Sequence, residues 1–113
     1  MLVTLEKDEA SFTERTRYRD FAITPTKFHW QSQSRARQDR GDGLHIVNAK
    51  NGIGKMWLFV RRAQKDEFKK AAPFVFMGSF LPTQIEGMRP MSITGDLANA
   101  MPAAWFEIAA RAR

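Results

Sequence analysis

Apolar and polar residues alternate along Val3-Thr4-Leu5-Glu6-Lys7, which predicts a first strand over 3–7. Asp8 to Ser11 reads as a turn, and Tyr18-Arg19-Asp20-Phe21-Ala22-Ile23 as a second strand or bent connector. Thr24-Pro25 is a helix-start signal, with Thr as N-cap and Pro at the first helical position. It predicts one helical turn from Lys27 to Trp30, with Phe28 or Trp30 facing inward but not both. Gln33 to Gly43 is polar, basic and glycine-punctuated, a surface loop by composition.

Leu44-His45-Ile46-Val47-Asn48 alternates again and predicts a strand, and Asn51-Gly52 predicts a hairpin turn. The return strand would be Lys55 to Arg61, whose continuous apolar centre suggests burial on both faces and makes Trp57 a core residue. Arg62 to Ala72 is charged and turn-like. Phe74 to Gly78 predicts another strand, continued over Phe80 to Gln84 across a glycine or proline kink. Glu86-Gly87-Met88 turns into a final strand, Pro90 to Thr94, and Pro102 opens a short helix from Ala103 to Ala110. The sum is a mainly β, β-rich α+β fold: a single curled antiparallel sheet or open barrel with one or two short helices.

Size and composition narrow the function classes. A chain of 113 residues is one domain, residues 1–113, able to close a single core. No stretch approaches the roughly 20 apolar residues of a membrane helix, and the N-terminus meets acid too early for a signal peptide, so a cytoplasmic setting without membrane is expected. Cysteine is absent, which removes disulfides and thiolate zinc sites; with only His29 and His45, no metal or other cofactor is expected. A net charge of +6 favours anionic partners.

The densest chemistry is Phe28-His29-Trp30-Gln31-Ser32-Gln33-Ser34. It joins aromatic rings, an imidazole, amides and hydroxyls, groups that can stack on a base and hydrogen-bond along its edge. Between residues 11 and 41 seven Lys/Arg stand against three acids, so this run has basic flanks. Tyr18 and Trp30 are stacking candidates. Asp20, Gln31, Ser32 and Gln33 can pair with a base edge, and the neighbouring arginines can hold phosphates. The structural alternatives are a core role for Trp30 and backbone bridging for His29 and Gln31. Arg89, beside a turn, can pair with Glu86 or Asp20 or contact phosphate. Neither histidine stands in a nucleophile elbow or triad setting, and Gly41-Asp42-Gly43 lacks a phosphate-loop pattern, so catalysis by this chain alone is not expected.

Tyr18 to Ile23, Phe28 to Gln33, Leu58 to Arg61, Ala72 to Gly78 and Arg89 to Thr94 come in an order that resembles one family. This is the domain of unknown function found at the C-terminal end of bacterial superfamily-2 helicases. Those proteins often carry a phospholipase-D-like nuclease domain and act in restriction or phage defence. The similarity spans nearly the whole chain, and the aromatic–amide block is its most specific part. Some members are similar to restriction enzymes that cut DNA carrying modified cytosine. The resemblance therefore implies a barrel of the modified-base-reader (SRA/PUA-like) type and base flipping into an aromatic pocket.

On that implication Tyr18 and Trp30 stack, Asp20, His29, Gln31, Ser32 and Gln33 read edges, and Arg35, Arg37 and Arg40 clamp the backbone, with Arg19 and Arg89 beside them. The expected partners are double-stranded DNA, modified or not, and helicase or nuclease domains in the same or a partner chain. The alternative is a module that docks onto a helicase or nuclease and regulates it. Two departures stand out: Gly95 where an aromatic is expected after Ser92-Ile93-Thr94, and a more apolar Ser79–Ile85 segment than the family pattern suggests. The chain carries no helicase or nuclease motif of its own, as an excised domain or stand-alone relative would not.

Overall fold

The computed structural model describes residues 1–6, 20–32, 41–87 and 91–112. Among the described residues six strands form one curled sheet, a half-barrel, with two helices. The strands are β1 (Leu2–Thr4), β2 (Phe21–Thr24), β3 (Lys27–Gln31), β4 (Met56–Arg61), β5 (Val75–Glu86) and β6 (Ser92–Leu97); the helices are α1 (Gly41–Lys50) and α2 (Ala103–Arg111). The spatial order is β1-β4-β5-β6-β3-β2. All neighbours are antiparallel except β1 and β4, so the sheet is mixed rather than wholly antiparallel. Alternation shows that a segment is a strand; it carries no information about which way its partner runs.

The period-two rule divides the sheet cleanly. Val3, Ala22, Phe28, Leu58, Val60, Phe80, Ile93 and Leu97 are buried on the inner face. Helix α1 packs against β5 and adds Ile46 and Ala49 to this core; α2 packs against β2 and adds Ala109, with Trp105, Phe106 and Ile108 beside it. The structural kink expected in β5 falls at Gly78, whose φ of +95° suits a residue without Cβ. Helix α2 begins one residue after Pro102, where the missing N–H costs nothing.

Several local expectations are corrected. Thr24-Pro25 does not start a helix: it is the turn of the β2–β3 hairpin, with Thr24 Oγ1 accepting the Thr26 N–H at 3.2 Å. Proline's fixed φ serves a tight turn as well as a helix start, and as a strand Lys27–Gln31 turns Phe28 and Trp30 to the same side, both inward. The Leu44–Asn48 strand is instead part of α1, in which Gly43, Ile46 and Ala49 recur at helical spacing and are buried while Leu44 is exposed. The same helix takes over the end of the loop expected from 33 to 43.

Asn51-Gly52 then terminates α1 rather than making a hairpin. The N–H groups of Gly52 and Ile53 donate to the carbonyls of Ala49 and Asn48, and Gly52 takes φ +84°. Finally, β4 buries only one face. Trp57 is 44% exposed, on the side opposite Leu58 and Val60. The expected turn at 8–11 lies outside the described residues.

Candidate nucleic-acid interface

Strand alternation splits the aromatic–amide block between two faces. Phe28 and Trp30 point inward, Phe28 fully buried and Trp30 half-buried against the core. His29 and Gln31 lie on the outer face, also half-buried. The hairpin register sets Phe21 opposite His29, and their rings stack with centroids 4.7 Å apart and planes 15° from parallel. Gln31 reaches across to β6, its Nε2 donating to Ser92 Oγ at 3.3 Å. His29 and Gln31 thus share a surface with each other and with Phe21, and do not share one with Trp30.

Two of the expected edge readers serve the backbone. Asp20 is buried at 6% exposure, and its Oδ1 accepts the Gln31 N–H at 3.0 Å where β3 outruns β2. Ser32, 2% exposed, accepts the Met91 N–H on its Oγ at 2.8 Å, while its own N–H donates to the Met91 carbonyl at 3.0 Å. This reciprocal pair continues the β3–β6 ladder one step beyond the strand ends. A buried donor without a partner is costly, so both side chains hold the end of β3 in place. Tyr18, Arg19, Gln33, Arg35, Arg37, Arg40 and Arg89 lie outside the described residues.

A second surface was not singled out from the sequence. On the outer face of β4 and β5, Trp57, Phe59 and Phe76 form an aromatic group, with Phe76 5.8 Å from Trp57 and 5.1 Å from Phe59. Phe76 is 55% exposed. Beyond them the Arg61 guanidinium lies 4.5 Å from the centre of the Phe74 ring, and Arg61 Nε donates to Thr4 Oγ1 at 2.9 Å. The signal was in the run Met56-Trp57-Leu58-Phe59-Val60: a strand that packs only one face on the core exposes half of a continuous apolar centre. A cavity of about 360 Å³ opens beside Trp57, lined also by Lys55, Leu81 and Asp96. None of the described residues singled out in the sequence as base or phosphate contacts borders it.

Among the described residues no three metal-ligating side chains converge, and no helix is long and apolar enough to cross a membrane. The molecule is a mainly β half-barrel domain whose outer sheet face carries polar and aromatic side chains. Residues 1–107 match the family model described as "Domain of unknown function (DUF3427)", and the chain belongs to that family. No curated protein matches it.

Proposed function

We propose that this chain is a non-catalytic DNA-recognition domain of a helicase–nuclease acting in restriction or phage defence. The observation that carries DNA contact is the pairing of His29 and Gln31 on the outer face of β3, half-exposed beside the Phe21 ring, in a chain of net charge +6. An imidazole and an amide on a flat strand can hydrogen-bond base edges, while a basic chain gains from counterion release. The helicase and restriction setting comes from the resemblance in the sequence alone.

Reading of a modified cytosine is the finer form of the proposal, with the base flipped onto Trp30. Because Trp30 faces away from His29 and Gln31, such a base would approach the end of β3 from the inner side. The two forms are therefore separable by mutation. Anisotropy with matched duplexes carrying plain or modified cytosine, at two salt concentrations, is the test. Gln31→Ala should weaken duplex binding by about 1–3 kcal/mol if the amide reads a base. Trp30→Leu keeps apolar volume but removes the stacking face. Selective loss of the modified-duplex preference in that variant supports base flipping, and an unchanged preference leaves the outer-face contact alone. Absence of duplex binding at either salt sinks the proposal.

A further inference from the structure

The outer surface of β4 and β5 combines exposed rings with a cationic surround. Trp57 and Phe76 are 44% and 55% exposed, while Leu58 and Met77, next to them in sequence, are buried. Phe76 packs against both Trp57 and Phe59, so the rings form one connected group presented by the sheet rather than loose on it. Between residues 55 and 76 there are six Lys/Arg and two acids. One of those acids is already engaged: Asp66 Oδ1 accepts the N–H groups of Phe68 at 2.9 Å and Lys70 at 3.0 Å.

These bonds shape the β4–β5 connection. The Lys65–Ala71 bridge and the Ala72 N–H to Gln64 carbonyl bond close its base, and Lys69 takes φ +60° at its tip. The connection is thus a folded extension of the strand pair that holds Phe68 74% exposed beside Lys69 and Lys70.

We propose that this face is a stacking platform for single-stranded nucleic acid, with bases on Trp57 and Phe76 and phosphates along Lys65, Lys69 and Lys70. Every base has a π-face, so exposed rings bind single strands with little sequence preference, and lysines beside them track the phosphates. A duplex hides its base faces within the stack and offers this surface no such contact. A protein partner fits the rings but not their surround, because interface cores are depleted of lysine. The cavity beside Trp57 supplies Lys55 as a donor and Asp96 as an acceptor to the edge of a base stacked there. The platform does not rest on the duplex reading above: β5 and β6 separate β4 from the strand that carries His29 and Gln31.

The test is titration of a short fluorescent oligothymidine, with a duplex of equal length as comparison, by anisotropy and by intrinsic tryptophan fluorescence. The wild-type chain is expected to bind the single strand with tryptophan quenching. Trp57→Ala and Phe76→Ala should each weaken that binding by about 5- to 100-fold. Trp57→Phe should retain most of it. Lys69→Gln with Lys70→Gln should weaken binding and flatten its salt dependence. Thermal melts unchanged from wild type certify that the variants are folded. His29→Ala should leave single-strand binding intact and Trp57→Ala should leave duplex binding intact, so the failure of one site does not mimic the failure of the other. Single-strand affinity absent in the wild type, or present but indifferent to Trp57→Ala and Phe76→Ala, overturns the proposal. So does self-association of the wild-type chain that Trp57→Ala abolishes, which would assign the face to a second copy.

Discussion

Gly95 lies under a ring. A Cβ added there would sit 2.5 Å from the Leu81 carbonyl oxygen and still nearer the tip of Phe80, and the backbone atom cannot yield cheaply. The aromatic expected at this point of the sequence is supplied instead from the neighbouring strand: Phe80, 3% exposed, fills the space over β6 that a side chain on residue 95 would occupy. Gly95→Ala should therefore destabilise the fold by about 1–3 kcal/mol, as overpacking of a filled core does, read as a lower urea midpoint. Ser32 presents the opposite situation, in which a polar atom is needed. Ser32→Ala leaves the Met91 N–H without its acceptor and should cost about 1–3 kcal/mol. If Ser32 were instead an exposed base reader, the same variant would lose DNA affinity at unchanged stability.

At the scale of elements, the C-terminal turn of α1 is the cleanest test. Gly52 holds φ +84° with open space around the position of its missing Cβ, so Gly52→Ala introduces no clash, only an unfavourable backbone conformation. A loss of about 1–2 kcal/mol is expected in thermal or urea unfolding. The same residue shows why some elements were legible in the sequence and others were not. Asn-Gly announces a positive φ, and a positive φ occurs there; whether it closes a hairpin or ends a helix depends on the element before it. That element, Leu44 to Asn48, alternates in hydrophobicity over five residues, too short a span to separate a period of two from one of 3.6. By contrast β4, β5, β6 and α2 were legible because their patterns run longer or are punctuated by Gly78, Gly87 and Pro102. In the candidate site, the sequence marked the block around Trp30 but not its division. Once Lys27–Gln31 is a strand, residues adjacent in sequence face opposite ways, and a cluster along the chain ceases to be a cluster in space.

At the scale of the molecule, the outermost of the described strands in the curled sheet are β1 on one side and β2 on the other. Strand β1 is short, yet Val3 and the following Leu5 are 1% and 3% exposed, and its ladder to β4 is extended by the Leu5 N–H to Arg61 carbonyl bond at 3.0 Å. Leu5→Ala should cost about 2–5 kcal/mol of stability. In hydrogen exchange it should release the Phe59 amide, which donates toward β1 at the Met1 carbonyl, before those amides of β4 that face β5. Equal acceleration along both sides of β4 would show that β1 is not a separable margin of the sheet.

The parallel pairing of β1 with β4 also bears on how the chain is made. Leu2 finds its partner at Phe59, so within this domain β1 waits for its β4 partner until about half of the 113 residues have followed it. Its buried side chains must pass that interval in contact with water or with whatever shields nascent chains. The β1–β4 ladder therefore closes only after β4 has been synthesised, a long-range pairing that is late by its topology.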